Sequence, residues 1–373
     1  MSNAVANGLA GAGGGIIAQI ITYPLQTVNT RQQTERVAKK GLDTITTTTT
    51  TSEPSPPSPP PPRGTLVQIF QVIRTEGWGG LYSGLKPSLF GTAASQGIYY
   101  YFYQVFKNRA EAIAVARKGK GLGDGTVGMF SWILVAAIAG SLNVLFTNPI
   151  WVLVTRMQTH TQAEKKVMEG RREALLREAS ECSSTELPTF KEKLAELDSI
   201  KPRPYGTLHA AGEVYCEAGI TGFWKGIIPT LIMVCNPSIQ FMIYETSLKK
   251  LRFRRAANKR GSKNVSALEV FLLGALAKLG ATLCTYPLLV VKSRLQAKQD
   301  IGGNIAFQYT GTLDAIFKMI RYEGLSGFYK GMSTKIVQSV FAASVLFMVK
   351  EELVKMYLML AAKSRKTLLR ILN

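Results

Sequence analysis

Apolar stretches that are rich in small residues alternate with polar connections along the chain. None reaches about 18 apolar residues without a polar interruption, so hydropathy alone gives a weak signal for membrane spans. Three long helices are nevertheless predicted at 4–33, 126–158 and 265–297, and a second helix follows each of them at 86–109, 227–250 and 332–360. The pattern favours an all-α membrane protein with six transmembrane helices.

Two linked motifs occur three times and indicate tandem repeats. In the first motif, an Arg lies seven residues after a Pro and a Gln lies nine residues after it. The copies are Pro24, Arg31 and Gln33; Pro149, Arg156 and Gln158; and Pro287, Arg294 and Gln296. The second motif runs from Glu76 to Gly84, from Glu217 to Gly226 and from Glu323 to Gly331. Each copy contains one pair of the predicted helices.

The repeats are predicted at 1–110, 124–255 and 264–361, and a basic C-terminal tail follows at 362–373. Repeat 1 carries a Thr/Pro-rich insert at 41–64, whose composition is typical of a solvated linker. Repeat 2 carries a charged insert at 160–204. Its segment 164–198 is rich in Glu, Lys, Arg and Leu, which predicts one or two exposed helices outside the membrane.

Composition supports a membrane protein with basic loops. Lys and Arg total 45 against 24 Asp and Glu, so the net charge is +21, yet charged residues make up only 18% and Gly numbers 34. A soluble nucleic-acid binder normally has more charge and less Gly, so no nucleic-acid partner is expected. Four Cys without a C-x-x-C pair and two His indicate no metal site. No nucleophile–base constellation occurs, so we expect neither an enzyme nor a resident cofactor.

Loop charges predict the orientation of the chain. Six spans place both termini on one side, together with the loop 249–263, which holds eight basic residues and no acid. The opposite segment 155–205 holds ten basic and nine acidic residues. The positive-inside rule therefore predicts cytosolic termini. The basic run lies between two spans, so we expect it to contact membrane lipids.

The repeated motifs closely resemble those of the mitochondrial carrier family of solute transporters, and the resemblance covers nearly the whole chain. It implies a threefold pseudosymmetric barrel around one central site, which two gates open alternately to either side. It also implies that Pro24, Pro149 and Pro287 kink their helices and that the functional unit is a monomer.

The resemblance places the gates at residue positions where this chain has few charges. On the first helices of the repeats, the gate positions hold Gln26, Asn29, Trp151 and Lys292. On the second helices, they include Gln104, Lys107, Glu245 and Glu351. Gates with so few ion pairs are expected to close weakly, unless van der Waals contacts and hydrogen bonds replace the missing pairs.

The tripeptide Pro149-Ile150-Trp151 resembles the branch of the family that moves large nucleotide-containing cofactors. The glycine-rich start 8–17 and the segment 131–158 are similar, within that branch, to peroxisomal carriers of NAD. The expected function is the exchange of NAD for AMP or ADP across the peroxisomal membrane by alternating access.

Two alternatives remain open. The first is a carrier of coenzyme A, FAD or ATP in the peroxisomal or the mitochondrial inner membrane. The second is a membrane protein that binds partners without transport.

Alignment of the three repeats on their prolines indicates one candidate for phosphate binding. Nine residues before the proline, two repeats have Gly15 and Gly140, whereas the third has Lys278. A Lys in a membrane helix costs about 2.5 kcal/mol or more, so it should face a water-filled cavity and bind a phosphate. A snorkelling Lys or a gate partner is the alternative. Gln19, one turn further along its helix, is a second candidate, unless it bonds a neighbouring helix.

The second helices supply the other candidates for substrate binding. Tyr99 belongs to an aromatic run that suits base stacking, although packing against lipid or neighbouring helices is the alternative for the run as a whole. Asn236 lies level with Ser95 of repeat 1. The family resemblance adds the apolar pair Ile232 and Met233, which suits a base ring, and the pair Gln338 and Ser339.

Overall fold

The computed structural model describes residues 3–36, 64–121, 125–181, 193, 205–257, 266–299 and 308–345, and positions 348, 349, 352, 356 and 359. All regular structure within these residues is helical, as predicted. The helices are α1 (Asn3–Thr34), α2 (Thr65–Glu76), α3 (Trp78–Leu81), α4 (Leu85–Gly119), α5 (Met129–Glu181), α6 (Thr207–Ala218), α7 (Ile227–Met233), α8 (Asn236–Ala257), α9 (Ala267–Gln296), α10 (Thr312–Tyr322) and α11 (332–345).

Each repeat consists of a long helix, a short amphipathic helix and a second long helix. The first long helices are α1, α5 and α9. The short helices α2, α6 and α10 follow them and lead through a tight helical turn into α4, α7–α8 and α11. The three equivalent units give the all-α, three-repeat architecture that the motifs predict.

Three helices differ clearly from their predicted bounds. Helix α4 continues to Gly119 instead of ending at residue 109. Helix α5 continues to Glu181, so the part of the charged insert up to that residue is a continuation of the membrane helix and not a separate helix. The reason is local, because the segment contains good helix formers and no proline. The rest of the insert lies outside the described residues, except for Lys193.

The second long helix of repeat 2 is also different, because it is broken into α7 and α8. The amides of Val234 and Cys235 donate to carbonyls three residues earlier, which makes a tight turn. Pro237 explains the break, since it has no amide hydrogen for the Met233 carbonyl and disfavours a helical conformation at Asn236.

Three helical stretches among the described residues are long and apolar enough to cross a membrane: Met129–Leu176, Ile220–Arg255 and Glu269–Gln296. Helix α1 is rich in glycine and carries polar residues such as Gln19 and Gln26, which lower its mean hydropathy. The described part of α11 is shorter than a membrane span. The repeat relation, more than hydropathy, therefore identifies the three remaining long helices.

The motif prolines lie inside continuous helices, and polar side chains near them add hydrogen bonds to the backbone. Two residues before each proline, a buried Thr donates its hydroxyl to the carbonyl four residues earlier. The bonds run from Thr22 to Ala18 (2.8 Å), from Thr147 to Asn143 (2.7 Å) and from Thr285 to Ala281 (2.9 Å). Pro149 has no amide hydrogen to donate to the Leu145 carbonyl. That carbonyl accepts a hydrogen bond from the indole N–H of Trp224 instead, at 3.0 Å. Helix kinks at Pro24, Pro149 and Pro287 stay a prediction.

Contacts between successive repeats close the molecule into a ring. Helix α4 packs on α5, and α8 packs on α9. Helix α11 reaches α1, where the Thr334 hydroxyl donates to the Gln32 side chain at 2.6 Å. Gly331, at the start of α11, has a φ of 78° and would place a Cβ 2.9 Å from Asn29 Oδ1. Gly84 and Gly226 approach the next repeat in the same way. The second long helix of each repeat thus rests on the first helix of the next one.

Candidate functional site

In each repeat, one buried ion pair joins the first long helix to the C-terminal end of the short helix. Arg31 binds both carboxylate oxygens of Glu76 at 2.9 and 2.8 Å, and Arg294 binds both oxygens of Glu323 at 2.6 and 2.9 Å. Arg156 binds Glu217 at 2.6 Å. Arg156 and Arg294 are among the largest fully buried side chains. The Arg and Glu of the two repeated motifs therefore meet in space.

The same arginines link each repeat to the next. Their Nε atoms donate to main-chain carbonyls of the motif glutamines in the following repeat. The bonds run from Arg31 to Gln158 (2.9 Å), from Arg156 to Gln296 (3.0 Å) and from Arg294 to Gln33 (3.0 Å). The set is circular, since the third repeat returns to the first. We call the end of the molecule that these bonds seal the closed end.

A second cation supports each carboxylate at the closed end. Lys225 binds Glu217 at 2.7 Å, and Lys330 binds Glu323 at 2.8 Å. Repeat 1 has Ser83 at the equivalent position. Glu76 instead pairs at 3.5 Å with Lys165, which lies on the part of α5 beyond its predicted end, residues 159–181, called here the α5 extension. Burial raises the pKa of Glu323, but the hydrogen bonds and charges of Arg294 and Lys330 outweigh burial, so its net pKa is lowered.

The α5 extension makes further contacts at the closed end. The Lys166 ammonium donates to the Arg36 carbonyl in repeat 1 at 3.3 Å. His160 stacks on Tyr205 with ring centroids 3.4 Å apart, and the Tyr205 hydroxyl donates to Glu213. Glu213 also pairs with Lys298 of repeat 3 at 2.5 Å. The extension therefore binds repeat 1 directly, and Glu213 of α6, beside it, binds repeat 3.

Above the closed end lies a cavity of about 390 Å³, which all three repeats line. Helix α1 contributes five lining residues, Gly15, Ala18, Gln19, Thr22 and Gln26. The other helices contribute Thr92 from α4, Trp151 from α5, and Ala342 and Ala343 from α11. Its size is within the range of small-molecule sites, and its lining combines small apolar surfaces, an indole and two primary amides.

In repeat 3, Lys335 of α11 lies near two lysines of α9, Lys278 and Lys292. The charge of Lys335 interacts with that of Lys278 and with that of Lys292. Within the described residues, none of the three forms an ion pair with a carboxylate. In the alignment of the repeats, Lys278 is equivalent to Gly15 of repeat 1, which lines the cavity. Three neighbouring cations without carboxylate partners suit a polyanionic ligand.

The structure brings three of the predicted site residues together in the cavity: Gln19, Gln26 and Trp151. Gln19 donates its amide to the Ser88 hydroxyl at 2.8 Å, which is the interhelical bond given as the alternative, and it also lines the cavity. Its role in substrate binding stays a prediction. The Gln338 side chain is buried and accepts a hydrogen bond from Lys335 at 3.2 Å. Ser339 is exposed and matches Thr92 of repeat 1 when the repeats are aligned on Gly84 and Gly331.

The remaining substrate candidates have other surroundings. Tyr99 stacks on Tyr103 with centroids 5.8 Å apart, and neither lines the cavity described above. Asn236 donates to the Thr285 hydroxyl at 2.7 Å, which is a helix–helix contact. Ile232 and Met233 end α7, and Ile232 is half exposed. Roles of these four residues in substrate binding stay predictions.

The predicted gate residues of the first helices lie at the cavity floor or below it. Asn29 is buried against Gly331, and the backbone of Lys292 contacts Gly226. On the second helices, Gln104 donates to Asn108 of its own helix at 2.9 Å. Lys107 lies 3.9 Å from Glu111, also on its own helix. Glu245 is half-buried, and Glu351 lies outside the described residues. Gate function stays a prediction for all eight residues.

Sequence reasoning missed Lys335 and Thr92, because it compared positions on the first helices and transferred only a few positions on the second. Lys335 lies four residues after Gly331, a spacing that keeps it on one helix face with Ser339. Comparison of the second helices, aligned on their starting glycines, would have identified both residues.

Known proteins agree with this architecture. A family model described as mitochondrial carrier protein matches residues 1–112, 125–255 and 263–360. The chain is 63% identical over 356 residues to the peroxisomal nicotinamide adenine dinucleotide carrier of Arabidopsis thaliana, covering 95% of this chain and 96% of that protein. It is 34% identical to mitochondrial substrate carrier family protein Q of Dictyostelium discoideum, covering 94% and 88%. It is 29% identical to the chloroplastic folate transporter 1 of Arabidopsis thaliana, covering 94% of each.

The family model matches each repeat separately, and the matches together cover most of the chain. Each matched segment contains one set of the motif Arg, Glu and Gln residues that form the sealed ring. The chain belongs to the mitochondrial carrier protein family.

Proposed function

We propose that this protein transports NAD across the peroxisomal membrane. The observation that carries the proposal is the group of three lysines in repeat 3, Lys278, Lys292 and Lys335, none of which pairs with a described carboxylate. A diphosphate offers the matching charge. The Arabidopsis relative, named as a peroxisomal NAD carrier, supports this choice of ligand and membrane.

We propose further that AMP or ADP is the counter-substrate, that the termini face the cytosol and that the protein works as a monomer. AMP and ADP share the adenine and the phosphate charge of NAD, so one site can hold each in turn. The excess of Lys and Arg, 45 against 24 acidic residues, favours the approach of anions to the cavity.

Transport requires a second state in which the closed end is open. To reach it, the Nε bonds from each arginine to the next repeat must break, because they seal the path below the cavity. A ligand shifts the equilibrium towards the state with the open end only if it binds that state more tightly than the state described here. A ligand that binds both the lysines of repeat 3 and the parts of the cavity wall from repeats 1 and 2 can supply this difference.

The test is uptake of labelled NAD into liposomes that contain the purified protein and are preloaded with AMP or left empty. Wild type should take up NAD, and Lys335→Gln should reduce uptake at least tenfold, since one cation of a desolvated phosphate site is lost. Lys318→Gln is the control, because Lys318 pairs with Asp314 on the peripheral helix α10. This variant should match wild type.

Each outcome has a clear meaning. Uptake that requires internal AMP indicates exchange, and uptake into empty vesicles indicates net transport. If wild type takes up no NAD but takes up coenzyme A, FAD or ATP, the proposed substrate is wrong. Equal losses in Lys335→Gln and Lys318→Gln would contradict the role of the lysine group.

A further inference from the structure

We propose that the cavity beside Trp151 holds the adenine base of the transported nucleotide. The indole of Trp151 would stack on the base, and the amides of Gln19 and Gln26 would hydrogen-bond to its edge. The inference rests on the proposed function, since it concerns how the same cavity recognises its substrate. It gives Trp151 a binding role in addition to its predicted place in a gate.

The cavity has the surface that a flat heteroaromatic ring requires. Trp151 is half-buried and forms part of the wall, and the facing α11 surface consists of Ala342 and Ala343. A Cβ added to Gly91 of α4 would lie 2.9 Å from Ile150 and 3.7 Å from the Cζ2 atom of the indole, so α4 passes close to this part of α5. The close approach of α4 limits the space behind the indole.

The two glutamines offer hydrogen-bonding groups that the protein itself does not use. The Gln19 side chain donates to Ser88, and its Oε1 atom accepts no hydrogen bond from the described residues. The Gln26 side chain makes no hydrogen bond to any described residue. An adenine edge has an amino donor and ring-nitrogen acceptors, and the two amides can satisfy both.

The lysine group defines where the phosphates go. Lys335 and Ala342 are seven residues apart on α11, so they lie on one face, about 10 Å apart along the helix. This separation is on the scale of a nucleotide. The base would therefore contact repeats 1 and 2, and the phosphates would bind to repeat 3.

Adenine is favoured over nicotinamide because NAD, AMP and ADP all contain it. A site that must accept each of them in turn can use only the shared base and the phosphate charge. The other base of NAD would then extend away from Trp151 into the open part of the molecule.

The test compares AMP with inorganic pyrophosphate, which has charge but no base. Thermal unfolding of the detergent-purified full chain is measured against the concentration of each ligand, for wild type, Trp151→Leu, Trp151→Phe and Gln26→Leu. In Trp151→Leu, the half-saturating AMP concentration should rise at least about fivefold, because base stacking is lost. Pyrophosphate binding should change less than twofold. Trp151→Phe should keep most of the AMP affinity.

Gln26→Leu should also weaken AMP and spare pyrophosphate, and it tests the site even if Trp151→Leu does not fold. The inference is overturned if both variants bind AMP as wild type does, or if they weaken AMP and pyrophosphate equally. Its failure differs from failure of the proposed function. If only the inference fails, AMP and NAD still stabilise the wild-type protein against thermal unfolding. If the proposed function fails, neither ligand stabilises it.

Discussion

The carboxylate of Glu323 is the best enclosed of the three at the closed end, with a side-chain exposure of 5% against 19% for Glu217. Removing one partner of a buried pair leaves the other charge uncompensated, at about 3–5 kcal/mol. Glu323→Gln should therefore lower the melting temperature clearly, and Glu217→Gln should lower it less. Thermal unfolding of the purified variants measures both.

The control for this comparison is Glu269→Gln, because Glu269 pairs with Arg255 at a more exposed position. Loss of such a pair changes stability by about 1 kcal/mol or less. If Glu323→Gln is no more destabilising than Glu269→Gln, the closed end does not depend on its ion pairs.

The lowered pKa of Glu323 predicts a dependence of stability on pH. Its ordinary value is 4.5, and Arg294 and Lys330 favour the charged form in the folded protein. Its contribution is therefore complete above pH 4.5 and is lost as the pH falls through the lower folded value. Wild type should lose more stability than Glu323→Gln between pH 5 and pH 3. Parallel stability curves for the two proteins would contradict this reading.

At the scale of the helices, two glycines that precede α11 can be compared. Gly324 lies before the helical turn Leu325–Tyr329, and Gly331 lies directly before α11. Gly324 and Gly331 both have a positive φ, 71° and 78°, but only Gly331 approaches another helix. Gly324→Ala should cost about 1–3 kcal/mol from backbone strain alone, because its φ of 71° and ψ of −169° lie in a region that essentially only Gly adopts. Gly331→Ala should cost about 1–3 kcal/mol more, because its Cβ would meet Asn29 and Gln32 of α1.

The measurement is the free energy of unfolding of the two variants in the same detergent. Both variants strain a backbone with a positive φ, and only Gly331→Ala also disturbs the contact of α11 with α1. Equal costs would show that α1 moves aside without penalty, and the ring contact would then be a weak one.

The long helices could be predicted from the sequence because the motif spacing marks the same point in each of them. Two departures could not be predicted from spacing. The charged residues after Gln158 read equally well as a separate helix, and only the absence of a breaker lets α5 continue to Glu181. The break before Asn236 follows from Pro237, which the search for equivalent positions passed over.

For the molecule as a whole, the sealed ring predicts unequal access from its two ends. Thr92 lines the cavity, whereas Ser293 is buried at the closed end with an exposure of 7%. In a variant without the four native cysteines, Thr92→Cys should react rapidly with a polar maleimide. Ser293→Cys should react slowly, and faster once NAD and AMP are present, because cycling opens the closed end.

Mass spectrometry of the labelled protein measures both rates. A rate for Ser293→Cys that equals that for Thr92→Cys without ligand would show that the ring does not seal the path. A ligand-independent slow rate would contradict opening of this end during transport.

The candidate site was less accessible to sequence reasoning than the ring. Lys278 stood out because it breaks the pattern of Gly15 and Gly140. Its proximity to Lys335 depends on how α9 and α11 lie side by side, which no spacing within one helix reveals. Trp151 was assigned to a gate by its place in the motif, and the cavity beside it became visible only once α1, α4 and α11 were assembled around it.

Ser83 stands where the other repeats have Lys225 and Lys330, so Glu76 takes its second cation from Lys165. During biosynthesis, Glu76 emerges from the ribosome almost ninety residues ahead of Lys165. The first repeat can therefore form the Arg31–Glu76 pair when it is made, but the second cation of Glu76 must wait for a later part of the polypeptide. The three copies are accordingly no longer interchangeable, and a chain cut between repeats 1 and 2 would leave Glu76 with one cation until the fragments reassociate.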